Sequence, residues 1–178
     1  MSTLENGREI TFGEAVKEAL IEEMHRDSHV FIIGEDVAEA GTVFKVLTGL
    51  LDEFGPDRVI DSPISEAGIT GIGVGAAVTG MRPVVDIMFG DFTTLAMDQM
   101  VNQAAKTHYM SGGKLRVPMV IRTTMGAGRR SAAQHSQSLH AWYSHIPGLK
   151  VAIPSTPYDA KGLMKTAIRE DNPVVIVE

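Results

Sequence analysis

The chain has 178 residues, of which 44% are hydrophobic and 21% charged, with a formal net charge of −6 and no cysteine. That length and composition fit one globular domain with a sizeable core. The missing cysteines exclude disulfides, thiol nucleophiles and thiolate metal sites, and the lack of any basic run argues against nucleic-acid and anionic-membrane partners.

Residues 1–8 are mostly polar and lack the apolar core of a signal peptide, so a flexible terminus and a cytoplasmic location are expected. Thr11 to Arg26 reads as an amphipathic helix, with Thr11 and Glu14 spaced as a capping box. Val30 to Ile33 is a short buried strand ended by Gly34. Apolar spacing predicts a helix within Val43 to Phe54, stopped by Gly55-Pro56. Arg58 to Ile60 is a strand, Glu66 to Thr79 a helix, Pro83 to Ile87 a strand and Leu95 to His108 a helix. Val117 to Arg122 is a strand, and Thr123 to Ser138 a long loop rich in Gly, Ser, Ala and Arg. Leu139 to Tyr143 is a helical piece, Leu149 to Ile153 a strand, Pro157 to Arg169 a helix and Val174 to Val177 the last strand. Short apolar strands alternating with helices predict an α/β fold, a mostly parallel sheet covered on both faces in three α/β/α layers.

The segment Asp61-Ser62-Pro63-Ile64-Ser65-Glu66-Ala67-Gly68 places a carboxylate at a helix start, among Ile60, Ile64, Ile69 and Ile72. An apolar surround disfavours the charged carboxylate and suits acid–base work near neutral pH. The same position serves the helix dipole equally well. Gly71-Ile72-Gly73-Val74-Gly75-Ala76 matches a dinucleotide fingerprint in letters only, because that motif must sit in the turn directly after a strand. Gly68, Gly71 and Gly75 instead share one helix face, which suits close packing against a partner helix. Phe92 follows a strand's carboxyl end, where α/β sheets bind ligands and where an aromatic ring can stack on a flat heterocycle. The 123–138 loop is long enough to be functional, and its His135 can move a proton near neutral pH. No phosphate-binding loop and no nucleophile elbow is present, and Gly90-Asp91-Phe92 is not the Gly-Asp-Gly of a magnesium–diphosphate motif.

Taken in order, Gly34-Glu35-Asp36-Val37-Ala38, Asp61 to Glu66, Asp98-Gln99, Ala104-Ala105-Lys106, Tyr109 to Gly113, Ala133-Gln134-His135-Ser136-Gln137 and Pro147 to Val151 resemble the beta subunit of 2-oxo acid dehydrogenases. The resemblance runs over 9–178 and implies the transketolase-like, pyrimidine-binding domain of a thiamine diphosphate enzyme, without that family's C-terminal domain. It implies oxidative decarboxylation of a 2-oxo acid, pyruvate-like first, with acetoin or branched-chain substrates as alternatives, and acyl transfer to lipoyl groups. It gives Glu66 the hydrogen bond to the cofactor's aminopyrimidine, Phe92 the stacking face, and Ile64 and Met88 the pocket wall. His135 is linked to acyl transfer, and Glu35 to a proton relay between paired sites. A potassium site is implied at Met119, Ala167, Ile168, Glu170 and Asn172, with glutamate at 170 where the family has aspartate. The implied partners are an alpha subunit, which holds most of the Mg²⁺ and diphosphate, a second beta subunit in a heterotetramer, and a lipoyl acyltransferase. A non-catalytic assembly or regulatory domain is the alternative class, against which Glu66, Phe92 and His135 stand.

Overall fold

A computed structural model describes residues 8–178; apart from Arg8, the terminus expected to be flexible lies outside the described residues. Six strands form a single parallel sheet: β1 (Val30–Gly34), β2 (Val59–Asp61), β3 (Arg82–Phe89), β4 (Val120–Thr124), β5 (Lys150–Ala152) and β6 (Val174–Val177). Their order is β2-β1-β3-β4-β6-β5, and every adjacent pair is parallel. Alternation along the strands divides the core in two. Val84 and Val120 face one helical layer, while Val85 and Ile121 face the other. The expected three-layer α/β/α architecture is what forms.

The first layer is α1 (Phe12–Arg26) against α6 (Pro157–Arg169). Thr11 caps α1, accepting from Glu14 N at 3.2 Å, while the Glu14 carboxylate accepts from Thr11 N at 2.7 Å. Two otherwise orphaned amide donors are satisfied in this way. Thr156 caps α6, where Pro157 occupies the first turn and gives up no hydrogen bond. The second layer holds α3 (Glu66–Val78), α4 (Ala105–Met110) and α5 (His140–Ser144). Gly73 is required on the inner side of α3, because a Cβ there would meet Val85 Cγ2 at 2.5 Å.

Two helices differ from expectation. Val43 to Phe54 keeps only a short α2 (Leu50–Phe54). Positive φ at Thr42, Lys45 and Gly49 breaks the helical path, while Leu47 is still buried. Leu95 to His108 is divided into a 3₁₀ turn (Gly90–Ala96), a π turn (Gln99–Ala104) and α4. The strand expected at Val117 begins at Val120.

Candidate active site

Consecutive strands cross in opposite directions from β1, with β2 on one side of it and β3 on the other. Such a reversal opens a crevice at the carboxyl ends of the strands. Glu35 leaves β1 there, Met88 and Phe89 end β3 there, and Asp91 and Phe92 lie in the turn that follows. Glu66 opens α3, which packs on β3 and on that same turn.

Glu66 is buried, at 9% exposed. Ser65 caps the helix by accepting from Gly68 N at 3.2 Å, so the carboxylate lies over the positive end of α3. The expected isoleucine surround is only partly present. Ile69 is buried, but Ile64 is 73% and Ile72 56% exposed. Isoleucine spacing identifies apolar side chains but not what covers them. Gly68 and Gly75 are exposed too, while Gly71 between them lies against Gln99 of the π turn, so the described residues cover the glycine face only in part.

Met88 occupies a β-bulge, since the β3–β4 register shifts between Ile87 and Phe89. Bulges re-aim side chains beside sites. The Met88 carbonyl is held by Thr124 Oγ1 at 2.6 Å. Gly90 follows because a Cβ there would meet Met125 Cγ at 2.3 Å. Beyond it the rings gather. Phe89 meets Phe92 at 5.6 Å between centroids, and the His135 ring meets Phe89 at 4.6 Å and Phe92 at 5.1 Å, all edge to face. The fold thus brings His135 to Phe92 across more than forty residues of chain.

Glu35 is partly buried. Burial pushes its carboxyl above the ordinary range, and the Asp36 and Glu66 carboxylates push it further. Asp61 steadies the loop after it, accepting from Ala38 N at 2.7 Å. Glu35 and Glu66 therefore stand within reach of each other's charge.

Sequence reasoning missed a buried ion triad beneath the crevice. Arg122 pairs with Asp86 and makes a bidentate contact to Glu178, Nε to Oε1 at 2.6 Å and Nη2 to Oε2 at 2.8 Å. All three side chains are under 7% exposed. Burial disfavours the Arg122 charge, but Glu178 and Asp86 outweigh it and hold the guanidinium protonated. The signal was an Asp and an Arg interrupting the apolar runs of β3 and β4. Above the triad a cavity of about 330 Å³ is lined by Phe44, Phe89, Met125, Arg129 and His135.

The potassium set is drawn together at the α6–β6 turn, and four of its carbonyls already accept hydrogen bonds. Ile168 O and Glu170 O accept from Arg82 Nη1 at 2.9 and 3.1 Å, and Met119 O accepts from Val174 N at 3.0 Å. Ala167 O accepts from Glu170 N at 3.2 Å, and the Asn172 amide donates to Glu170 Oε1 at 2.7 Å. A guanidinium, already a cation, stands at these carbonyls. Two of the five carbonyls, those of Ile168 and Glu170, thus already face a cationic side chain. Among the described residues no group of three or more His, Asp or Glu side chains is placed to hold a metal, and no helix is long and apolar enough to cross a membrane.

The family model described as the transketolase pyrimidine binding domain matches residues 8–178. The chain belongs to that family. Its relatives include the pyruvate dehydrogenase E1 component subunit beta of Rickettsia conorii, 57% identical over 96% of this chain and 52% of that one. The mitochondrial subunit beta of Bos taurus is 51% identical over 96% of this chain and 47% of its own. This family member thus spans about half the length of those relatives. Among solved structures, one described as a split-gene transketolase, an inactive beta4 tetramer, matches with a TM-score of 0.76 at 20% identity. That match covers 96% of this chain and 51% of the other, and at that identity it speaks for the fold.

Proposed function

We propose that this chain is the pyrimidine-binding domain of a 2-oxo acid dehydrogenase beta subunit, working with thiamine diphosphate on pyruvate or a close analogue. The observation that carries the reading is the gathering of Glu66, Phe92 and His135 at the carboxyl end of the sheet, in a chain 57% identical to a pyruvate dehydrogenase beta subunit. Thiamine diphosphate, when bound, supplies the nucleophilic carbon and electron sink for decarboxylating a 2-oxo acid.

The residues fit its pyrimidine half. Glu66 offers a buried carboxyl at the start of α3 that would hold a proton at a ring nitrogen. Phe92 gives a flat face, and Met88 and Ile64 give apolar walls. Ile64 completes its wall only when a partner covers it, since it is 73% exposed. Glu35 lies close enough to Glu66 for their charges to interact, which suits its proposed place in a proton relay. His135, among the aromatic rings, has the chemistry to pass a proton during acyl transfer. The donors for Mg²⁺ and the diphosphate are assigned to an alpha subunit. A second beta subunit and a lipoyl acyltransferase complete the proposed assembly.

The test is to assay a full-length beta subunit carrying this domain with its alpha partner on pyruvate, acetoin and 2-oxoisovalerate. Pyruvate should be turned over fastest. Turnover of acetoin alone would reassign the substrate, and turnover of none would remove the reading.

A further inference from the structure

Asp91 is 6% exposed in the turn that carries Phe92. Its Oδ1 accepts two hydrogen bonds from a single residue, Gln137 N at 3.3 Å and Gln137 Nε2 at 2.8 Å. Its Oδ2 is buried with no hydrogen-bond partner. Gln137 lies two residues past His135, and its carbonyl accepts from Gly126 N at 3.1 Å, closing the neck of the loop.

The loop needs such an anchor. Gly126, Arg130 and Ala132 all have positive φ, and Ala132 combines φ 64° with ψ −174°. A side chain in that region is strained, and the conformation persists only where the surroundings impose it. The ring contacts of His135 with Phe89 and Phe92 are edge to face, a geometry that tolerates sliding. Two hydrogen bonds to a buried carboxylate are directional and shorter in reach.

We propose that Asp91 is the positioning residue for His135: its carboxylate clamps Gln137 and so holds the histidine ring against Phe89 and Phe92. Because Asp91 and Phe92 are consecutive, the clamp ties the histidine loop to the turn that presents the stacking ring. The functional weight of the clamp rests on the role proposed for His135; its geometry does not.

Nuclear magnetic resonance of the 178-residue chain tests it without turnover. Two rings edge-on to His135 displace its ring-proton signals, which are assigned by their loss in His135→Gln. In Asp91→Ala those signals should move toward the positions of exposed histidines such as His29 and His145. In Asp91→Asn, which keeps an acceptor oxygen, they should stay. Should Asp91→Ala fail to fold, Gln137→Ala removes only the side-chain bond at an exposed position and should shift the signals the same way by less. Unmoved His135 signals in either folded variant would overturn the clamp, as would an Asn variant displaced as far as the Ala one. Acyl transfer is read separately. If His135→Gln leaves it intact, the role of the histidine fails while the clamp stands.

Discussion

The two helical layers finish the sheet in different ways. On the α1–α6 side, Ala15, Leu20, Met24 and Met164 are buried and the seam between the helices is laced with charge. Lys161 reaches Glu18 at 3.0 Å and Glu22 at 2.6 Å, and Arg169 reaches Glu23 at 2.6 Å. The α3 side buries a core of similar kind but leaves Ile64, Ile72, Leu95, Trp142 and Tyr109 more than half exposed. Its outer α3 face is glycine, with no charge after Glu66. The first layer ties its two helices together through these ion pairs, although Tyr158 and Leu163 on α6 are themselves exposed. The second has the composition of a surface that is covered, and under the proposed assignment the subunits of the enzyme cover it.

That contrast can be broken at its strongest point first. The triad under the α1–α6 layer places two carboxylates against Arg122. Arg122→Met would leave them buried without a partner and should cost about 3–5 kcal/mol in urea unfolding. A loss under 1 kcal/mol would show that water reaches the site. Met164→Ala, at 0% exposure, should cost about 2–5 kcal/mol through lost contacts and a cavity. If it costs nothing, the layer is looser than its packing implies.

The charged seam should respond to acid. Hydrogen bonds from Lys161 and then Lys165 hold Glu22 down at about 2. A depressed carboxyl contributes stability above its unfolded value near 4.5, and that contribution fades as pH falls toward 2. Glu22→Gln should therefore cost at most about 1 kcal/mol at pH 7, since the pair is exposed, and nothing near pH 2. A cost that persists at pH 2 would rule out the ion pairs as its source. Ile72→Asp on the other face should change the chain's own stability by less than about 0.5 kcal/mol yet weaken assembly with an alpha partner. Normal assembly would leave that face without its proposed role.

The contrast also marks how far the sequence could be read. The capping box at Thr11, the start of α6 at Pro157 and the apolar strands all depend on local rules, and they fold as those rules require. Val43 to Phe54 does not, because left-handed Thr42, Lys45 and Gly49 redirect the backbone while Leu47 still reaches the core. Helical spacing in Leu95 to His108 could not foretell a π turn. At the crevice, the place of Glu66 at a helix start and of Phe92 past a strand end was legible from their neighbours. The triad was not, since Asp86 and Glu178 lie 36 and 56 residues from Arg122 and meet it only through strand order. The clamp on Gln137 was hidden for the same reason.

The most direct measurement concerns Glu66. In a full-length beta subunit with its alpha partner, Glu66→Gln keeps shape and hydrogen-bonding capacity but cannot exchange a proton. Turnover of pyruvate should fall by about 100- to 10,000-fold, with the assembled complex still forming in size-exclusion chromatography. Near-normal turnover in an intact complex would contradict the role assigned to Glu66 and, with it, the chemistry proposed for the carboxyl end of this sheet.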